Sequence, residues 1–320
     1  MPIDIPALSE HTADQLLNAY VLASRSNWSV LKASGPTVRD YLQGQITQDM
    51  GKLTANQAIH SCILSPQGKA MSELFIAESN NDNELVLLTP STHAVATVAR
   101  LRQFALGHEL RMGIVESMGV CAVQGANAAQ LLNAFGVPEP GDNWLASSRN
   151  NQTGSISMVM PGMPRGFWII SDKAHIDKVI RGSENIVPEN EMEAMRIIRG
   201  MPDFGREWNE SIFPLNANLI EFDGVSFEKG CYVGQEVTSR MHWRGGIRKK
   251  LYRVSINGLP DTLPCPIKST VNIGELHAAA MDHENHCFGI AHLPIETAES
   301  NTPLYLQNGT EITILEPCHA

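Results

Sequence analysis

The stretch Lys229-Gly230-Cys231-Tyr232-Val233-Gly234-Gln235-Glu236 packs a thiol, an ammonium, a phenol, an amide and a carboxylate into eight residues. Glycines stand on both sides of the cysteine. Lacking a Cβ, they let the backbone turn sharply or approach a ligand closely, and a loop of this kind presents its middle residues outward. Val237 to Met241 reads as the start of a helix, which places Cys231 and Glu236 near a helix N-terminus, where the macrodipole favours negative charge. Lys229 is two residues away, and Arg240 and Arg244 follow closely. Such surroundings favour the thiolate, the form that acts as nucleophile and metal ligand. The same residues also allow a small buried thiol inside a glycine-shaped loop.

Upstream, residues 203–235 carry little regular pattern and include Pro214, Gly205 and Gly224. An irregular stretch this long inside a compact chain is usually functional or disordered, and its Phe, Ile and Leu content argues for an ordered loop. Downstream, Val237 to Val254 contains no acid but holds Arg240, Arg244, Arg248, Lys249, Lys250 and Arg253. The whole chain is acidic at −10, and without those six bases 18 basic residues stand against 34 acidic ones. The net charge argues against broad non-specific nucleic-acid binding, whereas the local strip suits a carboxylate, a phosphate or an acidic partner. Part of the strip also reads as the solvent face of a strand. After Arg248 come short strands at Leu251–Ile256, Val271–Ala279, Phe288–Ala291 and Ile312–Leu315, separated by Pro, Gly and Asn. This predicts a separate all-β barrel or sandwich.

Toward the N-terminus the pattern mixes strands and helices. Strands are predicted at Asn27–Ala33, Ile59–Leu64, Ala70–Ile76, Glu84–Leu88 and Glu109–Ile114, with Ser65-Pro66-Gln67-Gly68 as a hairpin turn. Helices are predicted from Pro36 to Gly44 and from Ser91 to Leu106. A second block repeats the order approximately. It has strands at Gly119–Val123, Ile156–Met160 and Gly166–Ile170, and helices at Ala126–Phe135, Ala174–Ile180 and Val187–Ile198. With 320 residues, two or three domains are expected. We place them at 1–116, 117–247 and 248–320, the first two α+β with a possible exchange of segments.

No run of about 18 apolar residues occurs, so no spanning helix is predicted, and Met1-Pro2-Ile3-Asp4 does not begin a secretory signal. The six cysteines are scattered without a C-x-x-C pair, a pattern that suits free thiols in a reducing cytoplasm. Asp282-His283-Glu284-Asn285-His286-Cys287 gathers metal-type ligands but reads better as a hairpin turn, and no metal is assigned. No P-loop, dinucleotide fingerprint or Gly-x-Ser-x-Gly elbow is present.

The Lys229–Glu236 motif resembles the signature of the YgfZ family of folate-binding proteins, relatives of the glycine-cleavage T-protein. Further matches follow in family order: Trp28, Tyr41-Leu42-Gln43-Gly44-Gln45-Ile46-Thr47, Ser65-Pro66-Gln67-Gly68-Lys69, Arg196-Ile197, Gly200-Met201-Pro202, Ser226-Phe227-Glu228, Ser239-Arg240 and Arg244-Gly245. The resemblance covers nearly the whole chain. It implies an α+β aminomethyltransferase-like fold, with two ferredoxin-like domains and a C-terminal β-barrel around a central opening that binds tetrahydrofolate. It also implies a part in assembling or repairing iron–sulfur enzymes, reaching tRNA thiolation only indirectly, in a monomeric cytoplasmic protein.

Carried onto this chain, the resemblance makes Cys231 and Lys229 the catalytic candidates. It makes Trp28, Met192, Arg196, Tyr232, Gln235, Glu236 and Arg240 the folate-binding candidates. Trp28 can stack on a pterin. Met192 stands where some members have a second tryptophan and packs on a ring less rigidly. The T-protein's paired aspartates fall on Ser72-Glu73, a departure that argues against ordinary aminomethyl transfer. Glu73 itself reads either as a chemical group or as a strand residue facing solvent. Three functions therefore stand: a folate-binding factor for iron–sulfur proteins, a folate-dependent one-carbon transferase, and a non-catalytic adaptor docking through the basic strip.

Overall fold

A computed structural model of the chain describes residues 3–162, 164–300 and 302–320. The chain divides into two compact units, each discontinuous in sequence. One comprises 15–187 with 223–235, and the other 1–14, 188–222 and 236–320. Helix α1 (Glu10–Asn18) joins them at the N-terminus. Among the described residues no helix is long and apolar enough to cross a membrane.

The larger unit holds two five-stranded antiparallel sheets. In chain order its elements are β1 (Val21–Ser24), β2 (Trp28–Ser34), α2 (Val38–Gln43), β3 (Ile59–Leu64), β4 (Ala70–Glu78), β5 (Glu84–Pro90), α3 (Ala94–Gln103), β6 (Arg111–Ile114), β7 (Met118–Gln124), β8 (Ser147–Arg149), β9 (Ile156–Val159), β10 (Gly166–Asp172) and α4 (Lys173–Arg181). The first sheet runs β3-β4-β5-β2-β6 and the second β1-β7-β10-β9-β8.

Strand alternation gives each sheet two chemically different faces. Leu31, Ile63, Leu74, Ile76 and Leu87 of the first sheet pack with Val38 and Leu42 of α2 and Val98 and Leu101 of α3. Leu22, Val123, Phe167 and Ile169 of the second pack with Ile176 of α4 and with the 3₁₀ helix Ala128–Phe135, predicted as an α-helix. The opposite faces meet through aromatic rings. Trp168 lies 4.8 Å from Phe75 and 6.2 Å from Trp28, centroid to centroid.

The smaller unit is a closed six-stranded antiparallel barrel, as the downstream pattern predicts. Its elements are α5 (Glu189–Ile198), α6 (Gln235–Trp243, starting at the unit boundary), β11 (Lys249–Ile256), β12 (Cys265–Lys268), β13 (Asn272–Met281), β14 (Cys287–Pro294), α7 (Ile295–Glu299), β15 (Leu304–Leu306) and β16 (Glu311–Pro317). Val254, Ile267, Leu276, Ala291 and Leu293 fill the barrel, and α5 packs on β13 and β14. Strands β1, β8, β12 and β15 are absent from the sequence reading. They are three or four residues long, too short for alternation to register. Helix α1 is nine residues long.

Candidate functional site

In the larger unit, segment 223–235 is laced along the loop that follows α2. Ser226 N–H donates to the Thr47 carbonyl at 3.0 Å, and the Thr47 hydroxyl donates to Gly224 O at 2.6 Å. The Gln48 amide donates to Asp223, whose carboxylate also meets Lys52 at 2.9 Å. Val233 N–H donates to Gly44 O. Lys229, 8 % exposed, turns its ammonium inward to Ile46 O at 2.8 Å and Gln48 O at 2.9 Å, and lies over the Tyr232 ring. Burial pulls its pKa down to about 8, against the Asp49 carboxylate, which raises it. The lysine of the motif is thus an anchor for the loop.

The two glycines differ. Gly234 has φ +82°, and a Cβ there would lie 2.6 Å from Ser65 O and 2.8 Å from Leu64 Cβ. Only glycine lets the loop close on the β3–β4 turn. A Cβ on Gly230 would meet nothing within 4 Å, so the space beside Cys231 is open. Cys231 is exposed, while Cys62, Cys121, Cys265, Cys287 and Cys318 are buried. Burial raises Cys121 to about 12 and Cys287 to about 11, holding those thiols protonated. Tyr232 is buried and Gln235 half-buried.

A second cluster lies on the inner face of the first sheet. His60 Nε2 and Glu73 Oε1 are 2.8 Å apart, with both residues at 4 % exposure or less. Glu73 therefore does not face solvent, one of the two readings its strand position allowed. The β3–β4 hairpin register sets Cys62 opposite Glu73 and His60 opposite Phe75, and His60 stacks on Phe75 at 4.8 Å. The sequence reading missed His60, although alternation within a hairpin whose turn was read correctly could have found it. Trp28, 7 % exposed, belongs to the same aromatic group. It also borders a cavity of about 360 Å³ whose wall includes Arg25, Ser29, Ser91, Glu116 and Lys173. That size is at the low end of small-molecule sites, roughly 300–1,000 Å³.

The remaining candidates lie in the smaller unit. Met192 and Arg196 are buried on α5, whereas Glu236 and Arg240 are exposed on α6. Arg196 spends all five N–H groups within its own unit. Nη1 and Nη2 each lie 2.8 Å from a Glu207 oxygen. Nε and Nη2 meet Glu193, and Nη1 also meets Met201 O. Burial opposes this charge, but Glu207, Asp203 and Glu193 more than compensate and raise its pKa. The saturated guanidinium has no donor left for a ligand.

Compared with models of known protein families, the chain matches none. It is similar to curated proteins named "tRNA-modifying protein YgfZ". The one from Colwellia psychrerythraea is 26% identical over 243 residues, 74% of this chain and 72% of that protein. The one from Edwardsiella ictaluri is 28% identical over 243 residues, 74% and 71% respectively. The one from Hamiltonella defensa is 29% identical over 235 residues, 71% and 67%. Among solved structures, the glycine cleavage system aminomethyltransferase T from Bartonella henselae superposes with a TM-score of 0.82 at 16% identity, covering 99% of this chain and 90% of that one. The aminomethyltransferase fold expected from the sequence is therefore the fold of this chain.

Proposed function

Because the chain belongs to the YgfZ family, we propose that it supports tRNA modification by binding tetrahydrofolate and serving iron–sulfur proteins through Cys231. The observation that carries this reading is the presentation of Cys231. Its neighbours are tied down by Lys229, Val233 and Gly234, and it is the one exposed thiol of six. A rigid loop that offers a single accessible thiol suits transfer or transient ligation. A cluster needs about four protein ligands, so a client protein must bring the others and the cluster is cargo.

The residues of the larger unit fit a folate. Trp28 offers a flat ring at the edge of the cavity. A carboxylate such as Glu116 matches the paired N–H donors of a pterin, and Arg25 and Lys173 match the carboxylates of a glutamate tail. Arg196 already spends its N–H groups on Glu207, Glu193 and Met201 O, which speaks against that role for it. Tetrahydrofolate, when bound, supplies a carrier for one-carbon groups. The chain's own part is to hold the ring on Trp28 and keep Cys231 accessible.

Two measurements test the proposal. Tetrahydrofolate titrated into the protein should bind at micromolar concentration, with at least tenfold weaker binding in Trp28→Ala and retention in Trp28→Phe. In cells whose only copy of the protein is this chain, Cys231→Ser should lower tRNA thiolation, and an unchanged level would overturn the role of the thiol.

A further inference from the structure

We propose that the exposed face of α6, together with the turn that follows it, binds single-stranded RNA. Of the six bases between Val237 and Val254, two are already engaged. Lys250 is ion-paired with Glu221, and Arg253 pairs with Glu316 and donates to Ile198 O. Arg240, Arg244 and Arg248 are exposed, and among the described residues they make no salt bridge.

Arg240, Trp243 and Arg244 are spaced i, i+3 and i+4, which puts them on one face of the helix. Trp243 is 73 % exposed, and His242 meets its indole edge-on at 4.6 Å. The only side chain this helix buries is Thr238. Gly245 (φ +70°) ends the helix, with Gly246 N–H returning to Met241 O at 2.8 Å. This is a capped stop that leads the chain directly into Arg248.

Basic side chains at a helix C-terminus complement the dipole, but the dipole gives no reason to hold an indole in water among them. Arginines around an exposed aromatic are what a single-stranded nucleic acid requires: cations for the phosphates and a ring on which an unstacked base can lie. An acidic peptide would use the cations and leave the ring unexplained. The −10 charge of the whole chain disfavours wrapping by a long duplex and confines contact to this patch.

Cys231 takes no part in this surface, and its test is run without folate. A fluorescein-labelled RNA hairpin with a seven-nucleotide loop would be titrated by anisotropy between about 50 and 200 mM salt. A blunt duplex of the same sequence and a polyglutamate peptide would serve as comparisons. Three phosphate contacts predict a slope of log affinity against log salt near −2, at roughly 0.7 per contact. Trp243→Ala should weaken hairpin binding about tenfold with the slope unchanged, and Trp243→Phe should restore it. Arg240→Ala combined with Arg244→Ala should flatten the slope by more than one. The proposal fails if the hairpin does not bind at the lowest salt or if these variants leave binding unchanged. It also fails if polyglutamate binds as tightly as the hairpin, which would make the surface a protein-docking site.

Discussion

The Nζ atom of Lys229 lies 2.8 Å from the carbonyl oxygen of Ile46, 183 residues earlier in the chain, and 2.9 Å from that of Gln48. Replacing Lys229 with Met should leave both carbonyls buried without a donor, at a cost of about 1–3 kcal/mol. Denaturant unfolding should record that loss, and hydrogen exchange should show protection falling first across 223–235. Retained protection there would mean that the backbone bonds alone hold the loop.

The glycines on either side of the cysteine should respond in opposite ways. Gly234→Ala forces a Cβ into Ser65 and Leu64 at positive φ and should cost well over ~1 kcal/mol. Gly230→Ala meets open space and should stay within about 0.5 kcal/mol of wild type. Paired urea melts would show the contrast. Equal losses would contradict the described loop.

Arg196→Met strands the Glu207 carboxylate in a buried site, since the two share paired 2.8 Å bonds. A loss of about 3–5 kcal/mol is expected, and adding Glu207→Leu should recover part of it. Tetrahydrofolate affinity measured below the melting range should be unchanged, because the arginine serves the fold.

His292 carries the pH prediction. Burial, helped by Lys249 and His277, pushes its pKa from 6.5 to about 4, while a bond to the Asn216 backbone opposes the shift. Above pH 6.5 the imidazole is neutral in both states and has no effect. As pH falls from 6.5 toward 4 the unfolded chain takes up the proton first, so stability drops through that window. His292→Asn should remove this part of the drop, which thermal melts at stepped pH would reveal. Identical pH profiles for the two proteins would place the imidazole in solvent.

Much of the fold and part of the site were legible in the sequence. Short apolar runs bounded by turn residues located β3, β4 and β5. The Ser65–Gly68 turn fixed the β3–β4 hairpin, and the apolar stripe expected between Ser91 and Leu106 located α3. The motif itself pointed to Cys231 and to a helix beginning directly after it. Only the tertiary structure showed that Lys229 reaches Ile46 and Gln48, that Glu73 is buried against His60, that Arg196 is consumed by Glu207 and Glu193, and that five of the six thiols are sealed. The division has a physical cause. Local sequence decides which face of a strand or helix a side chain occupies, because that depends on backbone geometry over a few residues. What covers that face, and hence whether a carboxylate meets water or an imidazole, is decided by segments far away in the chain, which only folding brings together.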